Sequence, residues 1–198
     1  DRRCLDAVRG DLHLAVAPWL ADELAGIGIR AETALLPPEH PLPPSAPPMP
    51  PELRVLTYLP APRFAFYGGP AVLEAARVLP DVAFDVVGAA EPAGRPAGGG
   101  GGGTRGGRDG PGGARGSDPG TDPPNVRRLG WVRDMPARYA EATVVVRVPE
   151  HDGFGNTVIE ALGHARHVVY THPLPGVRAI PAGDAGALVA ALADLREQ

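Results

Sequence analysis

Short apolar runs of strand length alternate with stretches in which apolar residues return every three or four positions. Leu12 to Val16 predicts a strand. Pro18 suits the first turn of a helix, where a missing N–H costs nothing. Trp19, Leu20, Leu24 and Ile27 then recur at helical spacing, and Gly26 and Gly28 end the helix. Ala31 to Leu36 predicts a second strand. Further along, strands are expected at 54–59, 82–88, 126–132, 143–148 and 167–171. Between and after them, helices are expected at 68–79, 135–141, 155–165 and 184–195. Strands alternating with helices imply βαβ units, a parallel sheet and an α/β Rossmann-like domain. Right-handed crossovers put the carboxyl ends of the strands, and any ligand, on one edge.

Two segments break the alternation. Residues 37–52 contain Pro37, Pro38, Pro41, Pro43, Pro44, Pro47, Pro48, Pro50 and Pro51. Such density forbids helix and favours an extended, semi-rigid linker. The expected division is therefore 1–36 as the remnant of an N-terminal domain, 37–52 as linker and 53–198 as the main domain. Residues 91–124 hold six consecutive glycines, Gly98 to Gly103, and no apolar side chain larger than Ala. They cannot bury enough surface to offset their ordering entropy, and a disordered insert is expected. An Arg/Gly nucleic-acid tail is the sharper reading. Its four arginines are offset by Asp109, Asp118 and Asp122.

Composition narrows the chemistry. A formal net charge of -4 without a clustered basic face argues against nucleic acid as partner. All 19 basic residues are arginine, so a phosphate contact has to come from Arg or from backbone N–H. The lone Cys4 allows no internal disulfide and no metal site, which fits a reducing, cytoplasmic compartment. No apolar run is long enough to span a bilayer, and no signal peptide is visible. The start at Asp1, inside an apparent helix-to-strand unit, reads as a fragment.

The chemistry concentrates in Pro149-Glu150-His151-Asp152-Gly153-Phe154-Gly155-Asn156-Thr157-Val158-Ile159-Glu160. A glycine-containing turn there leaves a strand and opens a helix. The first-turn N–H groups of Gly155, Asn156 and Thr157 lack intrahelical acceptors, and with the helix dipole they attract phosphate. Glycines let a ligand approach the backbone. Glu160, one and a half turns on, suits a pair of ribose hydroxyls, and Asp152 a sugar hydroxyl. The bland alternatives are an exposed helix carboxylate for Glu160 and a helix cap for Asp152. His151 beside Asp152 suggests a dyad, but neighbours in a turn usually point apart. His164, His167 and His172 form no metal signature.

An acid, a Gly-Phe-Gly turn, a helix and a Glu eight positions after the first acid resemble the E-x7-E motif of the family 4 (group 1) glycosyltransferases. Asp152 takes the first acidic place and Glu160 the second. Glu160-Ala161-Leu162-Gly163-His164-Ala165-Arg166-His167-Val168-Val169 is similar to that family's E-A-x-A-x-G-x-P-V-V. Asn125 to Val132 resembles its N-V-x-F-x-G-x-V strand, and Tyr139-Ala140-Glu141-Ala142 its Y-A-x-A-D. The resemblance runs from about residue 11 to the C-terminus, outside the insert. It implies the C-terminal, donor-binding half of a GT-B fold with two Rossmann-like domains.

It further implies a metal-independent hexosyltransferase domain that takes a nucleotide-diphosphate-sugar as co-substrate, with no cofactor. Glu160 would bind ribose, and Asp152 would meet the donor sugar as the catalytic acid residue of the motif. Gly153, Phe154, Gly155, Asn156 and Thr157 would hold diphosphate and sugar. Arg63 would supply one of the family's two cationic groups; no Lys exists for the second, for which Arg133 and Arg147 are substitutes. The acceptor, a glycan, lipid or small molecule, stays open, and a peripheral place at the inner membrane face is the alternative to a free cytoplasmic one. With most of the acceptor half missing, this chain alone is expected to be inactive. Two rival readings are a non-catalytic donor-binding module or degenerate fragment, and a nucleotide-sugar epimerase of the same architecture.

Overall fold

A computed structural model describes residues 12–88 and 122–197. β1 (Leu14–Ala15), α1 (Pro18–Gly26) and β2 (Glu32–Thr33) come first, with the two strands paired in parallel as a small sheet of their own. The chain then runs without helix or strand to β3 (Arg54–Tyr58), as the proline density requires. α2 (Gly69–Val78), β4 (Ala83–Val87), β5 (Val126–Gly130), α3 (Met135–Glu141), β6 (Val144–Arg147), α4 (Asn156–Gly163), β7 (His167–Tyr170), β8 (Arg178–Ala179) and α5 (Ala185–Arg196) follow.

β3 to β8 form one parallel sheet in the order β5-β4-β3-β6-β7-β8. In chain order within the sheet this is 3-2-1-4-5-6, the doubly wound arrangement of the Rossmann fold. Its order reverses between β3 and β6. Val144, Val145 and Val146 are at most 2% exposed. Such a run, apolar on both faces, is what a central parallel strand needs. Each valine buried in this way contributes roughly 1.5–3 kcal/mol.

Helices cover both faces. On one, Val72, Ala75 and Ala76 of α2 and Leu188 and Leu192 of α5 close over Val55, Val144, Val146 and Val169. On the other, Met135 and Tyr139 of α3 and Val158 and Ala161 of α4 close over Leu56, Val145 and Val168. α1 joins this second face through Trp19, which packs against the cluster as a partly buried residue. The indole stacks on His172, with ring centroids 4.1 Å apart and planes 3° apart, and its Nε1–H donates to the Asp152 carbonyl at 2.7 Å.

The sequence expectations hold for every helix and for the longer strands, with ends one to three residues shorter in most. β8 was not anticipated. It is two exposed residues long and carries no alternating pattern. Cys4 and residues 91–121 of the expected insert lie outside the described residues. Its last part is held in place: Arg128 donates to both oxygens of Asp122, at 2.5 and 2.9 Å.

Candidate functional site

At the carboxyl edge of the sheet, where the strand order reverses, a cleft of about 410 Å³ opens. Tyr58 and Val87 reach it from the ends of β3 and β4, Trp131 to Arg133 from beyond β5, and Arg147 from β6. Met135 and Tyr139 of α3, Gly155 to Thr157 and Glu160 of α4, and Glu39 and His40 of the proline-rich segment complete the lining. Of the eight predicted site positions, four, Gly155, Asn156, Thr157 and Glu160, line the cleft.

The turn is built for close backbone approach. Phe154 sits at φ 75°, a left-handed conformation that costs a non-glycine residue strain. Gly155 follows as N-cap in extended conformation. A Cβ on Gly155 would overlap the Arg147 Nε, so the guanidinium can lie against the helix start only because this residue has no side chain. The first N–H groups of α4 have no acceptor within the helix. Beside them the Thr157 hydroxyl is buried without a hydrogen-bond partner.

Glu160 is 2% exposed. Its Oε2 accepts from the Tyr139 hydroxyl at 2.8 Å. Its Oε1 accepts from the His40 backbone N–H at 2.9 Å and from the His40 Nδ1 at 3.1 Å. Burial, reinforced by the neighbouring Glu160 charge and hydrogen bond, pushes the Tyr139 phenol above its ordinary pKa. Tyr139 is thereby fixed as a donor and orients the carboxylate.

Asp152 is held by side chains of the domain itself. It is 8% exposed, and it is absent from the cleft lining. Arg147 donates to its two oxygens at 2.5 and 2.8 Å, the Tyr170 hydroxyl at 3.0 Å and the Gly153 N–H at 3.0 Å. Burial disfavours its charge, but the Arg147 hydrogen bond and charge, with Tyr170, outweigh that and hold its carboxyl below the ordinary pKa. The same pair keeps Arg147 above its usual value against burial. Four donors thus fill the Asp152 carboxylate, which is paired with Arg147 and does not face the cleft.

Arg63 also lies outside the cleft lining. It is exposed in a 3-10 turn, Ala61–Arg63, with its guanidinium 6.0 Å from the Phe66 ring centre. The two substitutes, Arg133 and Arg147, do line the cleft. Gly153 and Phe154 stand behind the turn rather than in the cleft wall; Phe154 stacks on Trp19 at 5.6 Å. His151 forms no dyad with Asp152 and instead meets Glu23 at 3.0 Å.

Sequence reasoning missed three groups: Tyr139, Tyr170 and His40. Tyr139 belongs to the quoted Tyr-Ala-Glu-Ala stretch, and a tyrosine on an otherwise apolar helix face was the available signal. Tyr170 ends a β-branched strand, where a fully buried hydroxyl has to find a partner.

The model of the family described as "Glycosyl transferases group 1" matches residues 110–197. Over these residues, under half of the chain, it is similar to the group 1 glycosyltransferases. Solved structures share the fold. The lipopolysaccharide outer core galactosyltransferase WaaB, in its apo form, matches with a TM-score of 0.66 at 13% identity, over 94% of this chain and 53% of that one. Anabaena HepE in complex with UDP and glucose matches with a TM-score of 0.61 at 13% identity, over 92% of this chain and 52% of that one. TarM of S. aureus matches with a TM-score of 0.61 at 13% identity, over 93% and 36%. The chain thus spans about half of the WaaB and HepE chains, and less of TarM. No curated protein sequence matches it. None of the matches favours the binding-module or epimerase readings.

Proposed function

We propose that the cleft binds a nucleotide-diphosphate-sugar and that the domain is the donor half of a hexosyltransferase. The observation that carries this reading is Glu160: a carboxylate buried on the cleft floor, one and a half turns into a helix whose N-terminus faces the same cavity. The ribose diol would donate to its two oxygens. The diphosphate would lie against the N–H groups at the start of α4, with the Thr157 hydroxyl as an added donor and Arg133 at the open rim as counter-charge. Arg147, clamped by Asp152, adds a fixed positive charge behind the turn.

The reaction breaks the bond from the anomeric carbon to the diphosphate oxygen, whose electrons leave with the nucleotide. A bond forms from that carbon to an acceptor hydroxyl, whose proton passes to a base. Within this domain the cations and N–H groups stabilise the negative charge gathering on the leaving diphosphate. The acceptor and its base belong to the rest of a two-domain enzyme. We place the protein in the cytoplasm and expect no metal ion in the step, since N–H groups and arginines supply the charge. No helix among the described residues is long and apolar enough to cross a membrane.

Calorimetric titration with UDP, GDP and ADP tests the reading. Glu160→Gln keeps an acceptor for Tyr139 but removes the charge. It should weaken the preferred nucleotide about tenfold or more, because hydrogen bonds to a charged group are worth about 1.5–3 kcal/mol each. Equal affinity of variant and wild type would rule out the ribose role of Glu160.

A further inference from the structure

The proline-rich segment does more than connect. It lies along α4 and is fastened to the domain at three points. At its leading end His40 holds the Glu160 carboxylate through both its backbone N–H and its imidazole. In the middle, Leu42 packs so closely on Gly163 that a Cβ there would overlap its side chain. At the far end Arg166, 3% exposed, donates to the Pro47 carbonyl at 2.6 Å, the Pro48 carbonyl at 3.0 Å and the Met49 sulfur at 3.4 Å. The same guanidinium donates to the Ala142 and His164 carbonyls. Burial lowers the Arg166 pKa. A buried cation satisfied largely by carbonyls is a deliberate anchor. It holds the strap where the strap meets the domain, while the prolines between keep the strap stiff.

The leading end lies where a ribose would. A carboxylate offers about four lone-pair sites. Tyr139 takes one on Oε2. His40 takes two on Oε1, and its Nδ1 also approaches Oε2 at 3.3 Å. Two donors from one residue, reaching one carboxylate, reproduce the pattern of a vicinal diol. No second pair of hydroxyls can be accommodated while they remain.

Resting on the donor-site reading above, we propose that residues 39–49 form an autoinhibitory strap whose His40 occupies the diol-binding carboxylate and leaves it when a nucleotide binds. The strap lowers apparent affinity by the fraction of molecules in which Glu160 is released. Because it lies in the segment between the small β1–β2 unit and the main domain, release also frees that connection to move. Donor occupancy and the placement of the preceding unit are coupled.

His40→Ala removes the imidazole and loosens the leading end without touching the cleft floor. Titrated with UDP, GDP and ADP, it should bind the preferred nucleotide at least threefold more tightly than wild type. In the wild type, hydrogen exchange at the His40 amide should speed up when that nucleotide is added, a readout that needs no variant. Unchanged or weaker binding by His40→Ala, or slower amide exchange, with wild-type binding still lost in Glu160→Gln, would overturn the strap and leave the donor site standing. Absence of binding by wild type and His40→Ala alike would overturn both.

Discussion

Two tyrosine–carboxylate pairs organise the site residue by residue, and they differ in what they leave free. Tyr139 holds one oxygen of Glu160, and a displaceable strap holds the other. Tyr170 and Arg147 hold Asp152 from two sides with no displaceable partner. Asp152→Asn should therefore destabilise the fold by about 3 kcal/mol, since breaking a buried pair leaves Arg147 uncompensated; chemical denaturation checks it. The pH dependence has a definite sign. The folded pKa of Asp152 is depressed below its unfolded value of about 3.9, so its contribution is present above that pH. It is lost as pH falls through the folded pKa. Wild type should lose stability on acidification below about pH 4, with a shallower loss in Asp152→Asn.

At the scale of elements, the β6–α4 turn depends on one missing side chain. Gly155→Ala would drive a methyl group into the Arg147 guanidinium, breaking its alignment with Asp152. The expected outcome is a loss of about 1–3 kcal/mol in stability, from overpacking at a buried contact. A thermal melt indistinguishable from wild type would show that Arg147 yields without cost. Here the sequence was most legible. The β-branched run Val144 to Val148, the glycines after it and Glu160 at helical depth mark strand, turn and carboxylate. What could not be read was satisfaction. Whether Asp152 faces a ligand or a guanidinium depends on Tyr170, 18 positions away, and on Gly155 making room for Arg147. Arg63 was placed by its position after β3, but the chain there tightens into a 3-10 turn and carries the side chain outward. β8 left no trace because an exposed two-residue edge strand needs no pattern of its own.

Across the whole molecule, periodicity alone made the order of elements legible, and with it a parallel sheet; the strand order that sets the switch point was not legible. Nor was the path of the proline-rich segment. Its prolines predict an extended chain, but nothing local tells that His40 meets a carboxylate 120 positions away or that Arg166 collects the carbonyls of Pro47 and Pro48. These contacts join the segment to the site through the fold rather than through sequence. They tie ligand binding to the segment that leads back to Trp19 and the β1–β2 unit. The proposed nucleotide site lies at Glu160 and the start of α4. A crystal structure of the chain with UDP bound tests it most directly. Ribose hydroxyls should lie on the Glu160 carboxylate and diphosphate at Gly155 to Thr157, with His40 withdrawn. Nucleotide bound elsewhere, with Glu160 still held by His40 and Tyr139, would contradict it.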